Sequence, residues 1–147
     1  MFRGEYEHSL DVKGRTVVPS KYREELGNSF IITIGTSHCL NCYPLKKYEE
    51  IERVIDSLPT TPENEKVKRL FFGSSAEVEV DSSGRILIPT KLREYAGFKG
   101  SQDDVVFIGM GKKVEIWAKS SHDEYINDYA NFDSGIESLA EKIGLSL

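Results

Sequence analysis

An internal repeat limits the folds that this chain can adopt. Residues 8–27 read HSLDVKGRTVVPSKYREELG, and residues 78–97 read VEVDSSGRILIPTKLREYAG. The two segments align without a gap at a constant spacing, and two copies are too few to build a solenoid. The repeat therefore predicts a duplicated domain. The identical pairs are Asp11/Asp81, Gly14/Gly84, Arg15/Arg85, Pro19/Pro89, Lys21/Lys91, Arg23/Arg93, Glu24/Glu94 and Gly27/Gly97.

Each copy carries a D-x-x-G-R turn between two short β-rich segments. An aspartate in such a turn accepts hydrogen bonds from nearby backbone N–H groups, and a glycine adopts the positive φ that a tight reversal requires. This pattern assigns turn-forming roles to Asp11, Gly14, Asp81 and Gly84. The arginine that follows is predicted to stand near the tip of a hairpin.

A short helix is predicted after each turn. The proline after the second strand suits the first position of a helix, and Gly27 and Gly97 suit the left-handed position just beyond its end. Two more strands follow each helix, at about residues 30–35 and 39–43 in the first copy and 104–109 and 113–117 in the second, because β-branched and aromatic residues are concentrated there.

Helices are also predicted between the copies and after the second one, where apolar residues recur at helical spacing. Thr61 followed by Pro62 is typical of a capped helix start, and Ser134–Glu137 has the capping-box pattern that predicts the start of the last helix. The predicted divisions are a first unit at residues 5–47, a helical connector at 48–75, a second unit at 76–119 and C-terminal helices at 120–147.

Composition is that of an ordinary globular protein. The chain has 147 residues, of which 39% are hydrophobic and 29% charged, and these values suit one compact domain or two small ones. No apolar run approaches the ~20 residues of a membrane helix, and the opening MFRGEYEHSL lacks the apolar stretch of a signal peptide. We therefore expect a cytoplasmic location and no membrane partner.

Catalytic and metal chemistry find little support in the sequence. Cys39 and Cys42 form a lone C-x-x-C without the second ligand pair that a zinc site needs, so we interpret them as structural. Ser, His and Asp occur together in the segment 120–123, but a catalytic triad requires these residues to converge from separate elements. The prediction is a protein that is not an enzyme and that has no catalytic residues, no metal and no cofactor.

The motif arginines are the main candidates for contact with nucleic acid. Arg15 and Arg85 each stand just past a tight reversal, and a guanidinium matches guanine or phosphate oxygens. The alternative is an ion pair with the aspartate of the same turn. Lys13 adds a cation to the first turn, whereas the second turn has Ser82 and Ser83 instead, so the copies need not contribute equally.

Further cations surround the motif. Lys21, Arg23, Lys91 and Arg93 follow the prolines, and their alternative role is a solvated or salt-bridged helix face. Arg3 completes the set of candidate DNA contacts. The net charge of −5 argues for weak binding by a single copy, because neutralisation of phosphates supplies much of the affinity for DNA. Several copies in one assembly would compensate by avidity.

With both D-x-x-G-R turns, the strand and proline that follow each, and the opening M-F-R-G-E-Y, the chain resembles the MraZ family of bacterial regulators. The resemblance implies an α+β fold: a duplicated AbrB/SpoVT-like swapped-hairpin β-barrel, with a pseudo-two-fold axis within one chain and flanking helices. It also implies homo-oligomeric rings that bind double-stranded DNA at short direct repeats upstream of their own operon. Such proteins are nucleoid-associated and act mainly as repressors of the division and cell-wall gene cluster. The family's motif arginines map onto Arg15 and Arg85, and its turn cation onto Lys13.

Two other functions remain open. An antitoxin-like regulator of the same superfamily usually has one motif copy and a disordered toxin-binding tail, whereas the C-terminus of this chain has a helical pattern. A ring-forming scaffold that binds protein and not DNA is favoured by the acidic balance of the chain. A steep decline of DNA affinity with salt would distinguish the regulator from the scaffold.

Overall fold

Both copies of the repeat fold into the same series of elements in the computed structural model, which describes residues 1–100, 103–126 and 129–147. The first copy contains β1 (Glu5–Ser9), β2 (Arg15–Val17), α1 (Ser20–Leu26), β3 (Ser29–Ile34) and β4 (Leu40–Pro44). Two helices follow, α2 (Leu45–Asp56) and α3 (Pro62–Ser74). The second copy contains β5 (Ala76–Glu79), β6 (Arg85–Leu87), α4 (Thr90–Tyr95), β7 (Asp104–Gly109) and β8 (Val114–Ala118), and the chain continues with α5 (Lys119–Ile126) and α6 (Tyr129–Ile143).

The main sheet exchanges strands between the two halves. Its order is β1-β7-β8-β4-β3-β5, with antiparallel pairing throughout. The first strand of each half thus lies beside a strand of the other half, and interchanging the halves leaves the order unchanged. The duplicated, pseudo-symmetric α+β fold with swapped hairpins is confirmed.

A separate two-stranded ribbon joins the edges of this sheet. Strand β2 pairs with β6, and these strands follow β1 and β5, the two edge strands, through the D-x-x-G-R turns. The ribbon therefore connects the two edges across the core. The prediction of a local hairpin at each turn is wrong, because β1 pairs with β7 while β2 pairs with β6.

One core lies between the main sheet, the ribbon and the short helices. Tyr22 of α1, Phe30 of β3, Ile86 of β6 and Phe107 of β7 are all at most 1% exposed. The opposite face of the sheet carries a smaller cluster in which Trp117 packs with Cys39 and Val106. Because β7 contributes to both clusters by alternation, its side chains are buried on both faces of the sheet.

The short helices begin one residue later than predicted. Pro19 and Pro89 have ψ of 132° and 143°, so each precedes the first helical residue and does not occupy it. Gly27 and Gly97 have φ of 86° and 78°, as the helix-end prediction requires. A proline in extended conformation still ends the strand, and the helix starts at the next residue.

The two capping predictions have different outcomes. Thr61 precedes α3, and its Oγ1 accepts a hydrogen bond from the N–H of Asn64 at 3.1 Å, with Pro62 as the first helical residue. The prediction that the last helix begins at Ser134 is wrong, since α6 begins at Tyr129 and contains Ser134 in its interior. The capping-box pattern is short, and it occurs inside a longer helical stretch here.

The added helices pack on the outside of the sheet. The rings of Tyr48 on α2 and Phe71 on α3 stack with their centroids 5.7 Å apart. Helix α5 contacts β7 and β8, and Tyr125 stacks on Trp117 at 5.4 Å. None of the described helices is long and apolar enough to span a membrane.

Candidate nucleic-acid interface

The ribbon brings the motif arginines of both halves together. In the antiparallel pairing, Arg15 lies opposite Leu87 and Arg85 lies opposite Val17. Thr16 and Ile86, the middle residues of the two strands, are each 1% exposed. Because side chains alternate along a strand, the arginines lie on the opposite, outward face. The two copies of the motif therefore form one surface.

Both turns are held by the same hydrogen bonds. In the first, Asp11 Oδ1 accepts from the backbone N–H groups of Lys13 at 2.9 Å and Arg15 at 2.8 Å. In the second, Asp81 Oδ1 accepts from those of Ser83 and Arg85, both at 2.9 Å. The four backbone groups leave little freedom in the path of either turn.

The glycine of each turn accommodates the reversal. Gly14 and Gly84 have φ of 87° and 77°, in the left-handed region that disfavours side chains. Their N–H groups donate to the carbonyls of Asp11 and Asp81, at 3.0 and 2.9 Å. The structure thus places all four turn residues where the motif predicts them.

Each arginine is also held by the aspartate of its own turn. The Nε atoms of Arg15 and Arg85 lie 3.0 and 3.1 Å from the Oδ2 atoms of Asp11 and Asp81. These side chains are about a third exposed, at 32% for Arg15 and 35% for Arg85. The ion pair that was the alternative to a DNA contact is therefore present, and it orients the guanidinium through one edge only.

One carboxylate links the two arginines across the ribbon. Asp11 Oδ2 lies 3.0 Å from Arg15 Nε and 4.0 Å from Arg85 Nη1. The pKa of Asp11 is lowered, mainly by the backbone hydrogen bond from Arg15, and that of Asp81 is lowered mainly by the backbone hydrogen bond from Arg85. Both carboxylates are therefore ionised at neutral pH, and each keeps its ion pair with an arginine.

Arg23 and Arg93 support the turn of the opposite half. A Cβ atom added at Gly14 would overlap the guanidinium of Arg93, and one added at Gly84 would overlap that of Arg23. Arg23 Nε also donates to the carbonyl of Val18 at 2.9 Å. Both guanidinium groups therefore lie against a turn and not along a solvated helix face, although neither forms an ion pair in the described part of the chain. The sequence signal for this role was that both copies carry an arginine at this position. The signal does not reveal the contact, because the turn that each arginine contacts lies in the other half of the chain.

Lys13 extends the basic surface at the first turn. Its side chain is exposed and forms no ion pair with any residue in the described ranges. The second turn has serines at the corresponding positions. Besides Arg23 and Arg93, the turns thus carry Lys13, Arg15 and Arg85, with the extra lysine on the side of the first copy.

The structure does not bring Arg3, Lys21 and Lys91 into this surface. Arg3 lies before β1, and the turn lies after the other end of this strand. Because β1 is ~17 Å long, it separates Arg3 from the turn. On α4, Lys91 is two residues before Arg93, so the two side chains point in different directions, and Lys91 faces α3. Lys21 holds the corresponding position on α1.

The remaining candidate residues are engaged in the fold. Cys39 and Cys42 are free thiols, each 0% exposed, and burial raises the pKa of Cys39 to about 12 and that of Cys42 further. His122 lies between two carboxylates, with Nε2 2.7 Å from Glu5 Oε1 and Nδ1 3.2 Å from Asp123 Oδ1. His122 therefore connects α5 to β1. No group of His, Cys, Asp and Glu within the described residues is arranged to hold a metal ion.

The exchanged sheet and the arginine-bearing ribbon define a duplicated protein of the swapped-hairpin class. The family model described as "MraZ protein, putative antitoxin-like" matches residues 1–70 and again residues 71–141. The chain belongs to the MraZ family. The two matches begin 70 residues apart, which is also the spacing of the D-x-x-G-R motifs.

Similar proteins share nearly the full length. The chain is 47% identical to the transcriptional regulator MraZ of Acetivibrio thermocellus over 99% of this chain and 98% of that protein. It is 44% identical to the protein of the same name from Carboxydothermus hydrogenoformans, over 97% and 96% of the two chains. A Thermoanaerobacter relative, also named transcriptional regulator MraZ, is 42% identical over the same shares.

Proposed function

We propose that this protein is a sequence-specific DNA-binding transcription regulator, with Arg15 and Arg85 as its reading residues. The observation that carries the proposal is the ribbon, which places both arginines on one outward face beside Asp11. A two-stranded ribbon fits the major groove of B-DNA, and an arginine can bind O6 and N7 of guanine with both terminal nitrogens. The Asp contact occupies Nε and leaves the end of the Arg15 guanidinium for a base.

Lys13 is the proposed phosphate contact of this surface. It is exposed at the tip of the first turn and adjoins the arginine that follows Gly14. A lysine that neutralises a phosphate adds affinity that does not depend on sequence. Arg3, Lys21 and Lys91 lie away from the ribbon, so their role in the proposal is limited to more distant phosphates. Asp11, Gly14, Asp81 and Gly84 shape the turns.

The biological setting follows the family resemblance. The proposed target is a set of short direct repeats upstream of the protein's own operon, in the division and cell-wall gene cluster, and the proposed action is mainly repression. The protein would work in the cytoplasm on nucleoid DNA. A net charge of −5 opposes binding by one copy, so a homo-oligomeric ring that presents several ribbons supplies the necessary avidity.

The four predicted segments of the chain have different roles in the proposed function. We propose that residues 5–47 and 76–119 form the swapped DNA-binding body, and that the connector 48–75 and the C-terminal helices 120–147 serve assembly. No catalytic group, metal or cofactor takes part in the proposed function.

The test is a titration of tandem-repeat DNA from the protein's own upstream region, followed by fluorescence anisotropy. Loss of a bidentate arginine contact costs about 1–3 kcal/mol per site, or roughly 5- to 150-fold in affinity. Arg15→Ala is expected to abolish specific binding with the oligomer intact, and Arg85→Ala to weaken it. Arg53→Ala, at an exposed arginine on α2, is the control: it should bind normally, with light scattering showing that its oligomer is unchanged. Normal binding by Arg15→Ala contradicts the proposal.

A second candidate, a ring-shaped scaffold for protein partners, is favoured by the acidic charge balance. The two functions differ in their response to salt. If phosphates are contacted, log affinity falls linearly with log salt concentration, and Lys13→Ala lowers the slope by about one. A flat response, or no DNA binding at low salt, supports the scaffold.

A further inference from the structure

A cleft lies between α4, α5 and the loop that joins β3 to β4. Its volume is about 600 Å³, within the range of about 300–1,000 Å³ that is usual for small-molecule sites. Trp117 of β8, the only tryptophan of the chain, contributes to its lining and is 3% exposed. The described residues of the lining include neither Arg15 nor Arg85, so the cleft is separate from the candidate nucleic-acid interface.

Two pairs of aromatic rings belong to the wall of the cleft. The rings of His38 and Tyr95 lie 5.0 Å apart, and those of Trp117 and Tyr125 are stacked at 5.4 Å. Tyr95 Oη donates to a backbone carbonyl of the loop at 2.6 Å, and Ser37 Oγ of the same loop donates to Tyr125 Oη at 3.1 Å. These bonds hold both tyrosines, while Tyr125 remains 62% exposed. The faces of such rings attract cations.

Two carboxylates border the same cleft. Glu94 on α4 and Glu124 on α5 are both exposed, and neither forms an ion pair with a residue in the described ranges. As far as the lining is described, it contains no lysine or arginine, and its one histidine stacks on Tyr95. Aromatic rings and unpaired carboxylates both favour a positive charge. The chemistry of the cleft is therefore that of a site for an organic cation.

The corresponding glutamate of the first copy is paired within its own helix. Helix α5 aligns with α2 at a spacing of 74, so Glu124 corresponds to Glu50 and Ser121 to Lys47. Lys47 Nζ lies 3.4 Å from Glu50 Oε2. The second copy has a serine in place of this lysine, and it has Tyr125 in place of an isoleucine. The second copy thus lacks the internal cation and has an additional aromatic ring, and both differences favour a cation from solution.

We propose that the cleft binds a small organic cation that carries a guanidinium group. A guanidinium is flat, so it can stack on a tyrosine ring while its N–H groups donate to a carboxylate. An ammonium lacks this planar fork and is more strongly hydrated. Because two carboxylates border the cleft, a compound with a second positive charge fits it best. The site lies apart from the ribbon, and its ligand is independent of the proposed function.

Trp117 gives a direct measurement of binding, because the chain has no other tryptophan. The probe is agmatine, a short chain with a guanidinium at one end and an amine at the other. Agmatine is expected to change the fluorescence of Trp117 in a saturable way, and isothermal titration calorimetry checks the affinity independently. N-carbamoylputrescine has a neutral urea in place of the guanidinium, and putrescine has an ammonium there. Each is expected to bind at least about tenfold more weakly.

Substitutions at the border of the cleft test its residues. Glu94→Gln and Glu124→Gln each remove one charge with little change of shape, and each is expected to weaken agmatine binding about tenfold. Ser121→Lys introduces the lysine that the first copy has at this position, so it should also weaken binding by pairing with Glu124. Glu50→Gln, at the corresponding glutamate of α2, is the matched control and should bind agmatine as the wild type does. Circular dichroism checks that all four variants fold.

Several outcomes would overturn the inference. Agmatine that fails to bind in both fluorescence and calorimetry does so, as does equal affinity for agmatine and either of its two analogues. Equal losses in Glu124→Gln and Glu50→Gln would show that the probe responds to the general charge of the protein and not to the cleft. Arg15→Ala should keep its affinity for agmatine while it loses specific DNA binding, so failure of one proposal is distinguishable from failure of the other.

Discussion

Gly14 shows how one position can be constrained by backbone and packing together. Its φ of 87° alone disfavours a side chain, and the guanidinium of Arg93 covers the space that a Cβ would take. Gly97 has a similar φ of 78°, but among the described residues a Cβ there would meet Ser121 Oγ alone, at an ordinary contact distance of 3.5 Å. Substituting each glycine in turn therefore separates two contributions to stability: the strain of a positive φ, which both sites share, and the displacement of Arg93, which occurs at Gly14 alone.

We expect Gly14→Ala to destabilise the protein more than Gly97→Ala does. A left-handed alanine costs about 1–2 kcal/mol at either site, and displacement of Arg93 adds about 1–3 kcal/mol at Gly14. Urea unfolding measures both free energies. The double variant Gly14→Ala, Arg93→Ala should recover part of the difference, and equal losses in the two single variants would contradict the proposed packing.

Asp11 makes the stability of the first turn depend on pH. Its folded pKa lies below the ordinary value of 3.8, so its contribution is fully present above pH 3.8 and disappears as pH falls through the folded pKa. We expect Asp11→Asn to be less stable than wild type at pH 7. The gap should shrink as pH falls below 3.8.

The measurement is the urea midpoint of both proteins at several pH values between 7 and 2. A gap for Asp11→Asn that is constant across the range would show that the charge of Asp11 does not stabilise the turn.

Among the elements, α3 begins with a defined cap. Thr61 Oγ1 accepts from the Asn64 N–H at 3.1 Å, while its neighbour Thr60 makes no such bond. Thr61→Ala is expected to lower the free energy of unfolding by about 1 kcal/mol. Thr60→Ala should change it by less than about 0.5 kcal/mol. Thermal or chemical unfolding of the pair checks this, and equal effects would count against the cap.

The short helices α1 and α4 depend on the core and not on their own propensity. They have seven and six residues, lengths that are marginal for an isolated helix in water. Tyr22, Leu26 and Leu92 are at most 3% exposed, so burial against the sheet holds both helices in place. The arginines on the same helices then reach the turns of the opposite half.

At the scale of the whole molecule, the exchange of strands makes each half dependent on the other. Cleavage at a protease site introduced into the loop of residues 57–60, between α2 and α3, leaves the β1–β7 and β3–β5 pairings intact. We expect the cleaved halves to remain together in size-exclusion chromatography and to separate only in denaturant. Halves that elute apart and keep the circular dichroism of folded strands would show independent domains.

Part of the candidate site was predictable because its parts are local in sequence. The hydrogen bonds of Asp11 and Asp81 span at most four residues, so the motif itself specifies both turns. The support that Arg23 and Arg93 give to Gly84 and Gly14 was missed because it joins residues about 60 to 80 positions apart. The approach of Arg85 to the Asp11 carboxylate was missed for the same reason, because it also joins the two halves of the chain.

The duplication, the turns and most of the strands and helices can be inferred from the amino-acid sequence, because they follow from motifs and periodicities that span a few residues. Three features depend on contacts between distant parts of the chain: β2 pairs with β6, the two arginines share one ribbon, and Lys91 faces α3 instead of that ribbon. Pairing within each half and exchange between the halves would satisfy the same local hydrogen bonds, so the local sequence does not distinguish them. Burial of one common core by both halves selects the exchanged pairing.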